Sequence, residues 1–191
     1  MRRVTVTEHL TLDGVMQAPG RPDEDTRGGF EHGGWAVPNN DEVMARVMGG
    51  GMARGGSLLF GRRTYEDFYG FWPHQKDNPF TDVLNDVEKF VASRTLTEPL
   101  PWNNSTLLEG DAADAVKELK EQPGEDIGVL GSGELVQSLI RHQLVDEYLL
   151  MIHPLVLGSG RRLFPEGVHS SLRLVDSVPT TTGVVIATYR A

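Results

Sequence analysis

Two short apolar runs in this chain end on glycine and pass straight into a helical pattern. Ser57-Leu58-Leu59-Phe60 leads through Gly61 into Arg62-Arg63-Thr64-Tyr65-Glu66, and Ile127-Gly128-Val129-Leu130 leads through Gly131-Ser132-Gly133 into Glu134-Leu135. A strand followed at once by a helix must be carried back over the sheet before the next strand pairs, which favours parallel pairing with helices on the faces. The remainder of the chain keeps this alternation. Val4, Val6, Leu10 and Leu12 share one parity against Thr5, Thr7, His9 and Thr11, a first strand whose apolar face is interrupted by Glu8. Val43, Met44, Val47, Met48 and Met52 recur at helical spacing behind Asn40, Asp41 and Glu42, which suit a cap and first turn. Residues 90–93 and 105–108 read as short strands, with Pro99 and Pro101 marking a turn between them.

Asp111 caps a helix that ends before Pro123-Gly124, and Leu135, Val136, Leu139 and Ile140 form the buried stripe of another. Residues 146–157 read as one long strand, with Pro154 implying an edge or a bulge. Residues 172–175 and 183–189 close the chain as two strands, expected to pair antiparallel. The expectation is a single α/β domain over residues 1–191, a mainly parallel sheet covered on both faces with an antiparallel edge.

Composition removes whole classes of function. Lys plus Arg is 18 against 27 Asp plus Glu, a net charge of −9, which argues against a nucleic-acid binder or a polybasic membrane-surface protein. The absence of cysteine excludes thiolate nucleophiles, disulfides and cysteine-ligated metal. No apolar run approaches bilayer length, and the opening MRRVTVTEHLTLDG alternates like a strand rather than forming a signal-peptide core. A cytoplasmic location fits both observations. The six histidines have no metal-ligand spacing, and neither a P-loop nor a G-x-S-x-G elbow is present. No metal is expected.

What remains are phosphate groups at strand exits. In open α/β sheets ligands bind beyond the carboxyl ends of strands, and a helix start offers free N–H groups to an anion. Gly61, Arg62, Arg63 and Thr64 stand at one exit, Ser93, Arg94 and Thr95 at a second, and the glycine turn Gly131-Ser132-Gly133 with Glu134 and Leu135 at a third. Three arginines exceed what one diphosphate needs. The surplus suggests a dinucleotide with an added phosphate, NADPH rather than NADH. Residues 13–40, rich in glycine and proline, are too long for a passive connection and are expected to form a wall or lid.

The segments GRRTYE, VASRTL, GSGELVQ with DEYLLMIHPLVLGSGRRLF, and the opening LTLDGVMQAPG together resemble the dihydrofolate reductase-like superfamily. Within it, the resemblance is greatest to the C-terminal reductase domain of the bifunctional riboflavin-biosynthesis deaminase-reductases. It covers essentially the whole chain. It implies a three-layer fold with a mixed, mostly parallel sheet of about eight strands, and NADPH lying across the strand ends. By this resemblance Gly61, Arg62, Arg63 and Thr64 match the segment holding the adenosine phosphates. Ser93, Arg94 and Thr95 match the adenine and 2′-phosphate side, and Gly131, Ser132, Gly133, Glu134 and Leu135 the diphosphate turn. The Asp13-Gly14 step matches the loop that closes over nicotinamide and substrate. A homodimer is implied as well.

Two departures matter. The bifunctional enzymes carry a zinc deaminase domain with cysteine ligands, and this chain has neither the length nor one cysteine, so no deaminase activity is implied. Folate-reducing members carry a tryptophan, a proline three residues on and a carboxylate two residues later; here Trp35 and Pro38 fit, but the carboxylate slot holds Asn40 and Asp41 follows it. This argues against a true dihydrofolate reductase. For the proton that accompanies hydride transfer, Asp13 and Asp41 are the expected acids, with Glu42 beside them. Asp41 and Glu42 read equally as caps, and Asp13 as a turn residue. Trp35, Phe71, Trp72 and Trp102 are either core or the wall of a pocket for a flat ring. The leading expectation is an NADPH-dependent reductase of a pterin-, aminopyrimidine- or flavin-precursor-like heterocycle, similar to the phosphoribosylamino-uracil reductase of riboflavin biosynthesis. The alternative is a non-catalytic NADPH-binding module on the same fold.

Overall fold

A computed structural model describes residues 1–53 and 56–191, without the side chains of Met52, Ala53 and Pro79. The expected contribution of Met52 to its helix face thus lies outside the described residues. Strands β1 (Val4–Thr11), β2 (Ser57–Gly61), β3 (Glu88–Ala92), β4 (Ser105–Leu108), β5 (Ile127–Leu130), β6 (Glu147–His153), β7 (Arg173–Pro179) and β8 (Val185–Arg190) form one sheet. Their order is β4-β3-β2-β5-β1-β6-β8-β7. Every pair from β4 to β6 is parallel, and β8 pairs antiparallel with both β6 and β7. The helices are α1 (Glu42–Ala53), α2 (Arg62–Phe71), α3 (Pro79–Asp86), α4 (Ala112–Glu121) and α5 (Gly133–Arg141).

The period of two on each strand sorts the core into two layers. Val4, Val6, Leu59, Ile127, Val129 and Leu150 pack with Val116, Leu119, Val136 and Leu139 of α4 and α5. On the other face Phe60, Tyr65, Leu84, Val91 and Trp102 form the layer under α2 and α3, while Met44 of α1 meets Met151, Val184 and Ile186.

Several expectations shift. Leu12 is 65% exposed because β1 ends at Thr11 and the chain turns there. The strand read over 146–157 stops at His153, and Pro154 lies just past it. That strand is not an edge: it sits between β1 and β8, which is possible because the proline is outside the ladder. Met151 and Leu149 are accordingly packed inside, under α1, and Leu155 packs on the Val15 cluster. Helix α3 has too short an apolar pattern to be read from sequence; Asn78 caps its start through Phe80 N. The buried Lys89 ammonium donates to the carbonyls of Asn85 and Val87 at its end, over the Trp102 ring.

Residues 13–40 are packed rather than structureless. Val15, Ala18, Phe30, Trp35 and Ala36 make a small core of their own, and the Trp35 indole donates to the Gln17 carbonyl at 2.7 Å. Gly33 is wedged there: a Cβ would lie 2.5 Å from the Pro22 carbonyl oxygen and 2.7 Å from that of Arg21. Backbone cannot yield as a side-chain tip does. Gly33→Ala is expected to cost about 2 kcal/mol, within the usual range for overpacking, read as a lowered urea midpoint with an unchanged slope.

Candidate active site

The carboxyl ends of β3, β2, β5 and β1 open into one cleft of about 1320 Å³. It lies where the sheet order reverses, since the chain steps outward from β2 to β3 and β4 and then returns to set β5 between β2 and β1. Gly61 of β2 pairs with Ala92 of β3, so Arg62–Thr64 and Ser93–Thr95 leave the sheet side by side. Leu130, the last residue of β5, pairs with Thr7 of β1. The rest of β1, from Glu8 to Thr11, therefore runs on beyond β5 as a step, and Glu8 and His9 line the cleft together with the turn 131–135. From β3 to β1 is three strand spacings, about 14 Å, room for an extended dinucleotide laid across the ends.

All the positions expected to hold a cofactor line this cleft: Gly61, Arg62, Arg63, Thr64, Ser93, Arg94, Thr95, Gly131, Ser132, Gly133, Glu134 and Leu135. The glycine turn is built for close packing. Gly131 and Ser132 have φ of 61° and 71°, and a Cβ on Gly133 would come within 2.9 Å of the Met16 methyl. The Ser132 hydroxyl oxygen accepts a hydrogen bond from Gly61 N at 2.8 Å, tying the turn to β2. Among the described residues neither α2 nor α5 has a side-chain cap, whereas Asp111 caps α4. Two helix starts thus present unsatisfied N–H groups at the cleft, the arrangement that suits phosphate oxygens.

The cations fall into two groups. At the β2 and β3 ends, Arg62 reaches only Glu66 on its own helix, at 3.5 Å, and Arg94 forms no ion pair among the described residues. At the α5 start, Arg27, Arg63 and Arg161 converge on Glu134 Oε1 at 3.1, 3.3 and 2.7 Å. The Arg161 hydrogen bond, with the neighbouring guanidinium charges, holds the Glu134 carboxyl below its ordinary range. Glu134 is thus an internal anion on a cationic cluster, joining the loop 13–40 and the 161 segment to α5. Arg27 and Arg161 are not among the expected site residues; the fold brings them here from distant positions, Arg161 from within the segment DEYLLMIHPLVLGSGRRLF.

Asp13 and Asp41 are placed differently from the other site residues, because neither lines the cleft. Asp13 accepts hydrogen bonds from the Thr11 hydroxyl at 2.5 Å, Gly158 N at 2.8 Å and Leu157 N at 3.2 Å. The Thr11 hydrogen bond leads in lowering its pKa. Asp41 caps α1 through Met44 N at 2.9 Å and binds the Thr181 amide and hydroxyl, both at 2.7 Å, and these bonds, that from Met44 first, lower its pKa. Both are ionised anchors. Asn40, by contrast, does line the cleft. So do Phe71 and Trp72, while Trp102 is core and Trp35 belongs to the loop's own cluster.

Among the acids that line the cleft, Glu8 is 4% exposed, with Oε1 lacking any hydrogen-bond partner among the described residues. Burial, with Glu24 adding like charge, pushes its carboxyl well above the usual range. Glu24 also lines the cleft and is raised by burial. Glu8 had a sequence signal, as the one break in the apolar parity of the first strand. On the alternate parity His9 Nδ1 lies 2.9 Å from Nε2 of the fully buried His153, against the edge of Trp35.

Residues 2–186 match the family described as the RibD C-terminal domain. The uncharacterised protein YyaP of Bacillus subtilis strain 168 is 32% identical over 139 residues, 70% of this chain and 72% of YyaP. Among solved structures, a pyrimidine reductase-like protein from Corynebacterium diphtheriae superposes with a TM-score of 0.68 at 10% identity, covering 99% of this chain and 91% of that one. A dihydrofolate reductase from Enterococcus faecalis, complexed with NADP(H), superposes with a TM-score of 0.58 at 15% identity, covering 98% and 95%. At such identities the superpositions establish the dihydrofolate reductase-like fold. With the sequence match running from one end of the sheet to the other, the chain belongs to the RibD C-terminal domain family.

Proposed function

We propose that this chain is an NADPH-dependent reductase of a pterin-, aminopyrimidine- or flavin-precursor-like heterocycle. The observation that carries the reading is the row of phosphate-seeking groups across three adjacent strand ends, with two uncapped helix starts among them. In this reading Arg62, Ser93, Arg94 and Thr95 hold the 2′-phosphate side. The amides of residues 131–135 and 62–64 hold the diphosphate, and the step beside Glu8 receives the nicotinamide. The bound cofactor supplies a hydride. The chain positions it, and the loop 13–40 excludes water above it.

Titration of the pure protein with NADPH and NADH is the test. NADPH is expected to bind at least about thirtyfold tighter, the worth of two solvent-screened charge-assisted contacts to the extra phosphate. Equal, weak binding of both overturns the assignment. The alternative, a binding module without turnover, is favoured by the engagement of Asp13 and Asp41 elsewhere. NADPH binding with no oxidation across a panel of pterins and aminopyrimidines would support it. The reading also carries a homodimer: edge strand β7 exposes Leu174 at 51% and Val175 at 40%, and a second copy would extend the sheet there. Sedimentation of the chain checks it.

A further inference from the structure

Four features single out one carboxyl group in the cleft. Glu8 is placed on β1 just past the end of β5, at the step where the cofactor's reactive ring is to lie in the reading above, on which this inference rests. It is 4% exposed, and its Oε1 has no hydrogen-bond donor among the described residues. No cation among the described residues neutralises it: Arg27 is committed to Asp25 and Glu134, Arg161 to Glu134, and Arg162 to the Asp13 backbone. The remaining charge acting on it is Glu24, whose own carboxylate accepts from Gly20 N and Arg21 N. On the adjoining elements, β6 offers Leu150 opposite Glu8, and the turn after β5 offers glycine and serine. A carboxylate sealed off without a donor is costly, whereas a carboxylic acid in the same place is not.

We infer that Glu8 is the acid of the reaction, donating the proton that completes reduction of a C=N bond in the heterocycle. The two-electron balance is simple. The acceptor carbon takes the hydride and the acceptor nitrogen takes the proton from the Glu8 carboxyl. The C=N double bond becomes a CH–NH single bond, and the carboxylate left on Glu8 is reprotonated from solvent through the cleft mouth. Glu24 raises the cost of leaving Glu8 ionised and so keeps it loaded between turnovers. The neutral Asn40 in the cleft fits this division: the acid has moved from the helix entry to the first strand.

The test joins a titration to kinetics. Carbon-13 NMR of protein labelled at glutamate carboxyls, with and without NADPH, reads the protonation of Glu8, its signal identified by loss in Glu8→Gln. The signal is expected to be that of the acid at pH 7. NADPH oxidation is then followed with dihydropterin and with the phosphoribosylamino-uracil acceptor. Glu8→Gln is expected to lower kcat by about a hundredfold or more, the usual worth of a general acid. It should abolish the decline of kcat toward alkaline pH while leaving the NADPH Kd essentially unchanged, and Glu8→Asp is expected to recover part of the rate. A Glu8 signal already ionised at pH 6 overturns the proposal. So does turnover by Glu8→Gln at the unsubstituted rate. In both cases intact NADPH binding leaves the cofactor reading standing. NADPH binding by the unsubstituted protein with neither acceptor reduced overturns the acid role and the proposed activity together. Failure to bind NADPH removes the reductase reading and this proposal with it.

Discussion

Replacing Arg62 and Arg94 together by alanine is expected to weaken NADPH binding by about a hundredfold to a thousandfold. NADH binding should move by only about threefold. Charge-assisted hydrogen bonds contribute about 1.5–3 kcal/mol each, and solvent screening keeps half-exposed groups to the lower half of that range. These two cations stand at the paired ends of β2 and β3 with little else to do: Arg62 has a distant partner in Glu66, and Arg94 has no ion-pair partner among the described residues. Arg63 should behave otherwise. Its guanidinium shares Glu134 with Arg27 and Arg161, so Arg63→Ala should weaken both nucleotides alike. Salt supplies a second check, because preference carried by exposed cations falls as the Debye length shortens. Calorimetry with both nucleotides at low and high salt measures all of this. Equal losses of NADPH and NADH in the double variant would show that Arg62 and Arg94 do not read the extra phosphate.

The half of the site at the strand exits was legible because its signals are local. An apolar run, a glycine and a basic helix start within ten residues already specify a strand end facing a helix N-terminus. The sheet order then brings 61–64, 93–95 and 131–135 to one cleft. The same locality made α4 readable, since Asp111 and Pro123-Gly124 punctuate it. It hid α3, whose end depends on Lys89 reaching back from the next strand. It misled at residues 154–157, where apolar side chains continue the alternation but serve the loop cluster around Val15 and Trp35.

The carboxyl proposed as the acid was less legible for the opposite reason. Asp13 and Asp41 are attractive in sequence because they sit beside a glycine and a helix start, yet those are positions where carboxylates cap backbone amides. Both are held that way, by Gly158 and Leu157 in one case and by Met44 and Thr181 in the other. Glu8 offered a plainer sign, a charged residue on the buried parity of a strand. Its meaning required knowing that β5 stops one residue short of it, leaving that stretch of β1 open to the cleft. Residue spacing gives parity; only pairing register gives the neighbour that is missing.

Acidification through the histidine range should destabilise the chain by way of His9 and His153. His153 is fully buried, its Nδ1 has no partner among the described residues, and its Nε2 meets His9 at 2.9 Å. Burial lowers both rings from the ordinary 6.5 to about 4, and for His9 the nearby His153 contributes as well. In the window between those values the unfolded chain binds more protons than the folded one. Stability is therefore fully present above 6.5 and is lost as pH falls toward 4. For the buried His153 alone the loss is about 3 kcal/mol, since each tenfold change in proton affinity is worth about 1.36 kcal/mol. His153→Phe keeps a ring against Trp35 and removes the titration. The difference in urea-unfolding free energy between neutral pH and pH 4 should shrink by about that amount, even if the variant is less stable at neutrality. Glu8 has the opposite slope. Its raised pKa favours the fold at acid pH, with stability present below 4.5 and lost as pH rises toward its folded value. Glu8→Gln should therefore steepen the acid loss of stability that His153→Phe flattens. A stability profile that stays level from pH 7 to pH 4 in both the unsubstituted chain and Glu8→Gln would show that the histidine pair accepts protons without unfolding.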